Sequence, residues 1–198
     1  MNLQIERVIR RARAVAVLAL LLLPGAASAQ TLPERLAPCL ACHGESGRSE
    51  TPEVPSLGGQ PEFYLSVQLV MFRERLRAIE PMTAMMKGVS DRDLRAMAAF
   101  IATLPPPRPP IDAGEPARMQ QARTIGEQHR CNFCHARDYA GQENVPRLAG
   151  QREDYLVKTL REYKANTRRA YDTSMADVVL QLRDEDIVEL GYFLARLK

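Results

Sequence analysis

Cys39-Leu40-Ala41-Cys42-His43 and Cys131-Asn132-Phe133-Cys134-His135 gather all four cysteines of the sequence and two of its three histidines. Two thiols three positions apart fall on one side of a helical turn, where each can add to one vinyl group of the same porphyrin. The next residue then offers its imidazole to the iron as a proximal ligand. C-x-x-C-H is the attachment pattern of covalent, c-type haem, and it occurs twice. The competing chemistries are a zinc knuckle, a structural disulfide and a redox dithiol. A zinc ribbon spaces its pairs roughly 15–20 residues apart, whereas 88 residues separate Cys42 from Cys131. A dithiol needs neither the histidine nor the duplication, and nothing nearby reads as a βαβ unit.

Iron held by histidine on one side needs a sixth ligand on the other. Downstream of His135 the only methionine is Met175, just ahead of the terminal apolar segment. Its thioether is a soft, neutral donor that favours the reduced metal. The first half offers Met71, Met82, Met85, Met86 and Met97. Met71 and Met97 sit at helical periodicity and read as core. Counting back from Val89, the residue aligned with Leu182, selects Met82, with Met85 and Met86 as alternatives.

The elements that position these residues come in duplicate. Pro55-x-Leu57-x-Gly59-Gln60-x-x-x-Tyr64-Leu65 recurs as Pro146-x-Leu148-x-Gly150-Gln151-x-x-x-Tyr155-Leu156, and Asp91-x-Asp93-Leu94 returns as Asp184-x-Asp186-Ile187. Two copies are a tandem duplication, not a solenoid. Each copy predicts three helices with long loops. One starts behind Pro61 and carries Tyr64, Leu65, Leu69 and Phe72 at 3–4 spacing; its counterpart covers residues 151–168. A last helix starts at Ser90, a capping-box pattern, with Leu94, Met97, Ala98 and Ile101 on one face; its counterpart begins at Asp184 and runs through Leu197. No segment alternates as a strand, so the fold class is all-α. Pro105, Pro106, Pro107, Pro109 and Pro110 lack amide donors and predict a stiff, extended connector. The expected organisation is residues 30–104, a Pro-rich linker at 105–112, and residues 113–198.

Residues 1–29 read as a signal peptide. Arg7, Arg10, Arg11 and Arg13 are followed by ten apolar residues from Ala14 to Leu23 and by Ala27-Ser28-Ala29 as a cleavage site. Ten residues are too few to span a bilayer, which takes about 20. Export suits cysteines reserved for haem in an oxidising compartment. The full chain has 27 Lys+Arg, 24 Asp+Glu and a formal charge of +3. Four Arg and one Glu leave with the signal, so the mature charge is 0. No basic patch remains to bind nucleic acid.

On the two C-x-x-C-H motifs, the P-x-L-x-G-Q…Y-L blocks, the methionines ahead of the last helices and the linker, the mature sequence resembles the dihaem class I cytochrome c family typified by cytochrome c4. The resemblance covers essentially all of the mature chain. It implies two tandem class I cytochrome c domains, each a small helical bundle around one covalent haem. It also implies electron transfer in the periplasm with redox partners such as a terminal oxidase, a quinol-oxidising complex or a dehydrogenase; any membrane association would be peripheral, through those partners. By position, Cys39, Cys42, His43 and Met82 would serve one haem and Cys131, Cys134, His135 and Met175 the other. The carbonyls of Pro55 and Pro146 would accept the hydrogen bond of the proximal imidazoles. The sequence departs from the family at Pro38, which predicts a short or irregular N-terminal helix, and at Ala136, where glycine is usual. Cys-Asn-Phe-Cys-His and Asn144-Val145-Pro146-Arg147 resemble a branch of periplasmic dihaem cytochromes more than typical cytochrome c4.

Other polar residues have two readings each. Arg147 and Gln151 would meet a haem propionate, or else be a solvated arginine and a helix-capping glutamine. His129 reads as a surface residue. Tyr163, Tyr171 and Tyr192 read as core aromatics, with porphyrin edges as the alternative. No nucleophile–base pair, phosphate loop or carboxylate dyad stands out, which predicts a one-electron carrier and not an enzyme. The alternatives are a permanently held electron-transfer subunit of a larger oxidoreductase and a dihaem peroxidase with one open iron site.

Overall fold

The computed structural model describes residues 31–168 and 173–198. The signal segment at residues 1–29, and Tyr171, lie outside the described residues. Leu32–Lys198 forms one compact unit. Among the described residues the secondary structure is helical, with one isolated bridge between Gln142 and Val145 and no strand.

The first half contains α1 (Leu32–His43), α2 (Glu62–Arg73), α3 (Met82–Met86) and α4 (Asp91–Ala102). Pro61 is the N-cap of α2, where its missing N–H costs nothing. Ser90 caps α4: its Oγ accepts from the Asp93 N–H at 3.2 Å and donates to the Asp93 carboxylate at 2.8 Å. Leu65, Leu69 and Phe72 of α2 meet Leu94, Met97, Ala98 and Ile101 of α4 in one core, joined by Leu36 and Cys39 of α1. The apolar periodicity of both helices thus does what it predicts.

The second half contains α5 (Pro116–Gln128), α6 (Cys131–Cys134), α7 (Glu153–Lys164), α8 (Ser174–Leu180) and α9 (Asp184–Ala195). Leu156 and Leu160 of α7, Ala122 and Ile125 of α5, and Ile187, Leu190, Phe193 and Leu194 of α9 form its core. Tyr139 meets Phe193 edge-on, centroids 5.9 Å apart.

Three expectations are corrected. The N-terminal helix is neither short nor broken: α1 runs twelve residues through Pro38 into the first motif. A proline there removes one intrahelical bond. Burial of Leu36 and Cys39 on either side, with an Arg35–Asp93 ion pair at 2.8 Å, holds α1 against α4 regardless. Each half also has more than three helices, because the methionine segments form α3 and α8. Finally, α7 stops at Lys164 and α9 at Ala195, each short of the expected end.

The repeated P-x-L-x-G-Q blocks form the junction between the halves. Gln60 Nε2 donates to Arg147 O at 2.9 Å, and its Oε1 accepts from Arg147 N–H at 3.0 Å. Reciprocally, Gln151 Nε2 donates to Ser56 O at 2.8 Å, and its Oε1 accepts from Ser56 N–H at 2.8 Å. Gln60 and Gln151 are equivalent in the repeat, as are Ser56 and Arg147, so the contact is self-complementary like a twofold interface. The linker lies along it. A Cβ at Gly59 would come within 2.7 Å of Pro106, and one at Gly150 within 2.6 Å of the Pro107 carbonyl; both glycines also have positive φ. Glycine in the two blocks therefore makes room for the connector.

Candidate functional site

Each proximal histidine is delivered by a helix and oriented by a loop. His43 ends α1 and His135 is the C-cap of α6; both are buried. His43 Nδ1–H donates to Pro55 O at 2.7 Å, and His135 Nδ1–H donates to Pro146 O at 2.8 Å. A carbonyl can only accept, so the proton sits on Nδ1 and Nε2 keeps its lone pair, the form that ligates iron. Burial lowers the pKa of both imidazoles, against the opposing pull of the proline carbonyls, and keeps them neutral.

None of the four cysteines is in a disulfide. Cys39 is part of the first core and Cys131 borders the second, while Cys42 and Cys134 are exposed. Burial raises the pKa of Cys39 and Cys131, opposite to the lowering that marks the nucleophile of a redox dithiol. Among the described residues no three His, Cys, Asp or Glu side chains converge as a bare metal site would require. Each site offers what covalent haem needs: one oriented imidazole for the iron and two thiols for the porphyrin vinyl groups.

Met82 opens α3 and Met175 is the second residue of α8. Both are half-buried and pack on the core that the first cysteine of their own motif touches. Met86 is only 2% exposed, and the residue aligned with it, Val179, is fully buried. Met86 is therefore core filling, like the valine. Met85 is half-buried on the same core and is the remaining alternative to Met82. Met71 and Met97 are buried core residues, as expected.

Two cations at the junction were not singled out from the sequence. Arg77 follows α2 and Arg168 follows α7 at the same place in the repeat, and both are over nine-tenths buried. Arg77 Nη1 donates to Gln68 Oε1 at 2.8 Å, while its buried Nε has no partner among the described residues. Arg168 donates to Tyr155 Oη at 3.3 Å and lies 3.6 Å from Glu162. Burial pushes the Tyr155 phenol up, yet Arg168 and Arg77 together outweigh it and hold the phenol below its ordinary range. Such a site calls for anions. Aligning the two copies, which places arginine at 77 and 168, was the available signal.

The remaining polar residues resolve as follows. Gln151 joins the two halves instead of capping a helix in isolation, and Arg147 Nε donates to Ala149 O at 2.9 Å. His129 is the half-buried C-cap of α5. Tyr192 is sandwiched between Arg118 and Arg196, at 3.7 and 3.6 Å, and its Oη accepts from Glu115 N–H, pinning the end of the linker. Tyr163 lies against Arg168.

The Cytochrome c family model matches residues 30–105. Cytochrome c4 of Thiocapsa roseopersicina is 33% identical over 168 residues, covering 80% of this chain and 86% of that protein. A thiosulfate dehydrogenase electron acceptor of Thiomonas intermedia is 30% identical over 202 residues, covering 94% of this chain and 90% of that protein. Among solved structures, reduced recombinant cytochrome c4 from Pseudomonas stutzeri superposes with a TM-score of 0.76 at 29% identity, over 84% of this chain and 97% of that one.

Proposed function

This chain belongs to the dihaem class I cytochrome c family typified by cytochrome c4, and on that premise we propose that it works in the periplasm as a freely diffusing electron carrier. As a member of that family it carries two covalently bound c-type haems and transfers single electrons between redox partners. The haem supplies the one-electron step; the protein sets orientation, potential and exposure. Cys39 and Cys42 would hold one haem by thioethers with His43 and Met82 as its iron ligands, and Cys131, Cys134, His135 and Met175 would do the same for the other. The Pro55 and Pro146 carbonyls hold the imidazoles, and Arg77 and Arg168 would offer their charge to haem propionates. Residues 30–104 and 113–198 are the two cytochrome domains, joined by 105–112, and residues 1–29 direct export.

The observation that carries this reading is the duplicated constellation itself. In each half a buried, Nδ1-protonated histidine closes a motif whose first cysteine packs on the same core as a half-buried methionine, and the methionines stand at the same place in the repeat. With an imidazole and a thioether assigned to each iron, neither haem would keep an open site for peroxide or another ligand, which supports a carrier over an enzyme. The relative from Thiomonas intermedia, aligned along nearly the whole chain, supports a second reading in which a thiosulfate-oxidising enzyme is the donor and holds this chain as a lasting subunit.

Expression of the full chain with haem-maturation machinery, followed by periplasmic fractionation and stopped-flow mixing with respiratory membranes, separates these readings. A free monomer that exchanges electrons rapidly with a membrane complex is expected. Co-purification with a dehydrogenase at fixed stoichiometry through high salt would establish the subunit reading. Peroxide turnover with one high-spin haem would overturn both.

A further inference from the structure

In each half the carbonyl that receives the proximal imidazole belongs to a peptide group whose N–H is held by the other half. The Pro55–Ser56 peptide accepts from His43 Nδ1–H at 2.7 Å through Pro55 O and donates at 2.8 Å from Ser56 N–H to Gln151 Oε1. The Pro146–Arg147 peptide accepts from His135 Nδ1–H at 2.8 Å and donates at 3.0 Å from Arg147 N–H to Gln60 Oε1. Two hydrogen-bond chains thus cross the junction in opposite directions: His43 to peptide to Gln151, and His135 to peptide to Gln60. We propose that Gln60 and Gln151 are crossed positioning residues, each tuning the proximal ligand of the haem in the opposite domain through a single peptide group.

The physical route is short. Donation from a peptide N–H polarises its own amide and makes its carbonyl a better acceptor, so consecutive bonds in a chain strengthen one another. A stronger acceptor on Nδ1–H makes the imidazole a more basic ligand, which favours oxidised iron and lowers the potential. Removing the glutamine carbonyl weakens that bond in the other domain and raises the potential there. The second arm of each amide, Nε2 to the Arg147 or Ser56 carbonyl, fixes the loop in place. The two chains are not identical. Gln151 Oε1 also accepts from Arg152 N–H at 2.9 Å, whereas the residue after Gln60 is a proline with no N–H to offer. Gln60 spends its oxygen on the opposite loop alone, so its effect should be the larger.

The inference rests on the dihaem reading, and the test keeps the two apart. Redox titration of the holoprotein would be followed by NMR of the haem methyl resonances, assigned to domains by comparison with Met175→Ala. Gln60→Leu should shift the haem bound at Cys131 and Cys134 about threefold toward the reduced form, about 28 mV upward, and leave the other haem in place. Gln151→Leu should move the haem bound at Cys39 and Cys42 in the same direction by a smaller step and leave the haem at Cys131 and Cys134 in place. Gln60→Glu and Gln151→Glu keep an acceptor oxygen but lose the Nε2 donor, so neither should raise the opposite potential. A merely loosened junction would make the Leu and Glu variants move alike. Shifts confined to the haem of the substituted residue's own domain, equal shifts of both haems, or no shift in a protein that still holds two haems would overturn the proposal. Should a Leu variant lose its haems or its helical content, the Glu variants decide: an upward shift of the opposite haem overturns the proposal, and an unchanged or lowered one supports it. Absence of two haems from the unsubstituted protein would instead overturn the dihaem reading.

Discussion

At the scale of single residues the two copies differ most clearly just after the histidine. Gly44 and Ala136 both have positive φ, 83° and 66°, where a side chain is strained. A Cβ on Gly44 would fall 1.9 Å from the Arg48 carbonyl oxygen, so the first copy has room only for glycine. Gly44→Ala should destabilise the protein by about 2–3 kcal/mol, while Ala136→Gly should change stability by no more than about 1 kcal/mol. Chemical denaturation of the two holoproteins checks this; equal effects would mean that the backbone around Gly44 yields freely. The methionines separate in the same way. Met82→Ala and Met175→Ala should each remove the sulfur-to-iron charge-transfer band at one haem and lower that haem's potential, because a soft ligand to reduced iron is lost. Met86→Ala should leave the band and instead cost about 2–5 kcal/mol for the buried volume. If Met85→Ala removes the band in place of Met82→Ala, the first-domain assignment moves to Met85.

Among the elements, α1 depends on a contact that pH can remove. The Arg35 hydrogen bond, helped by Ser90, holds the Asp93 carboxyl at about 2. That lies below the unfolded value of about 3.9, so the contribution is complete above that value and is lost as pH falls toward 2. Both groups are partly exposed, which keeps it small. The gap in thermal midpoint between the natural protein and Asp93→Asn should close between about pH 4 and pH 2; a gap that stays constant would mean that the pair does not fasten α1. What the sequence displayed of the elements depended on how far apart their determinants lie. α2, α4, α7 and α9 were legible because each carries its apolar stripe within twelve residues. α3 and α8, at five and seven residues, are too short to show a period. Pro38 read as a helix breaker because the burial of Leu36 and Cys39 that overrides it comes from tertiary packing. Gln60 suggests no role in the sequence and Gln151 only a propionate contact or a helix cap, since their partners stand 87 and 95 residues away and no local pattern encodes such a pairing.

The molecule as a whole is two haem-binding halves clasped through the loops that orient their histidines. The candidate ligands were legible because haem attachment needs its cysteines and histidine contiguous, whereas Arg77, Arg168 and the crossed glutamines act only once the halves meet. Cleavage of residues 1–29 would take the formal charge from +3 to 0 and leave steering to local patches and propionates, so association rates with a redox partner should fall only moderately with salt, through interfaces below about 1,200 Å². Stopped-flow measurements over a range of ionic strength would show this, and a steep dependence would reveal a dominant charged face. The central claim, two six-coordinate haems carrying one electron each, is tested most directly by a spectroelectrochemical titration of the intact holoprotein with its haem content counted. The expected result is two haems per chain, two one-electron waves, and a sulfur-to-iron band at both sites in the oxidised protein. A single haem, or a site that lacks the band and binds added carbon monoxide at once, would contradict it.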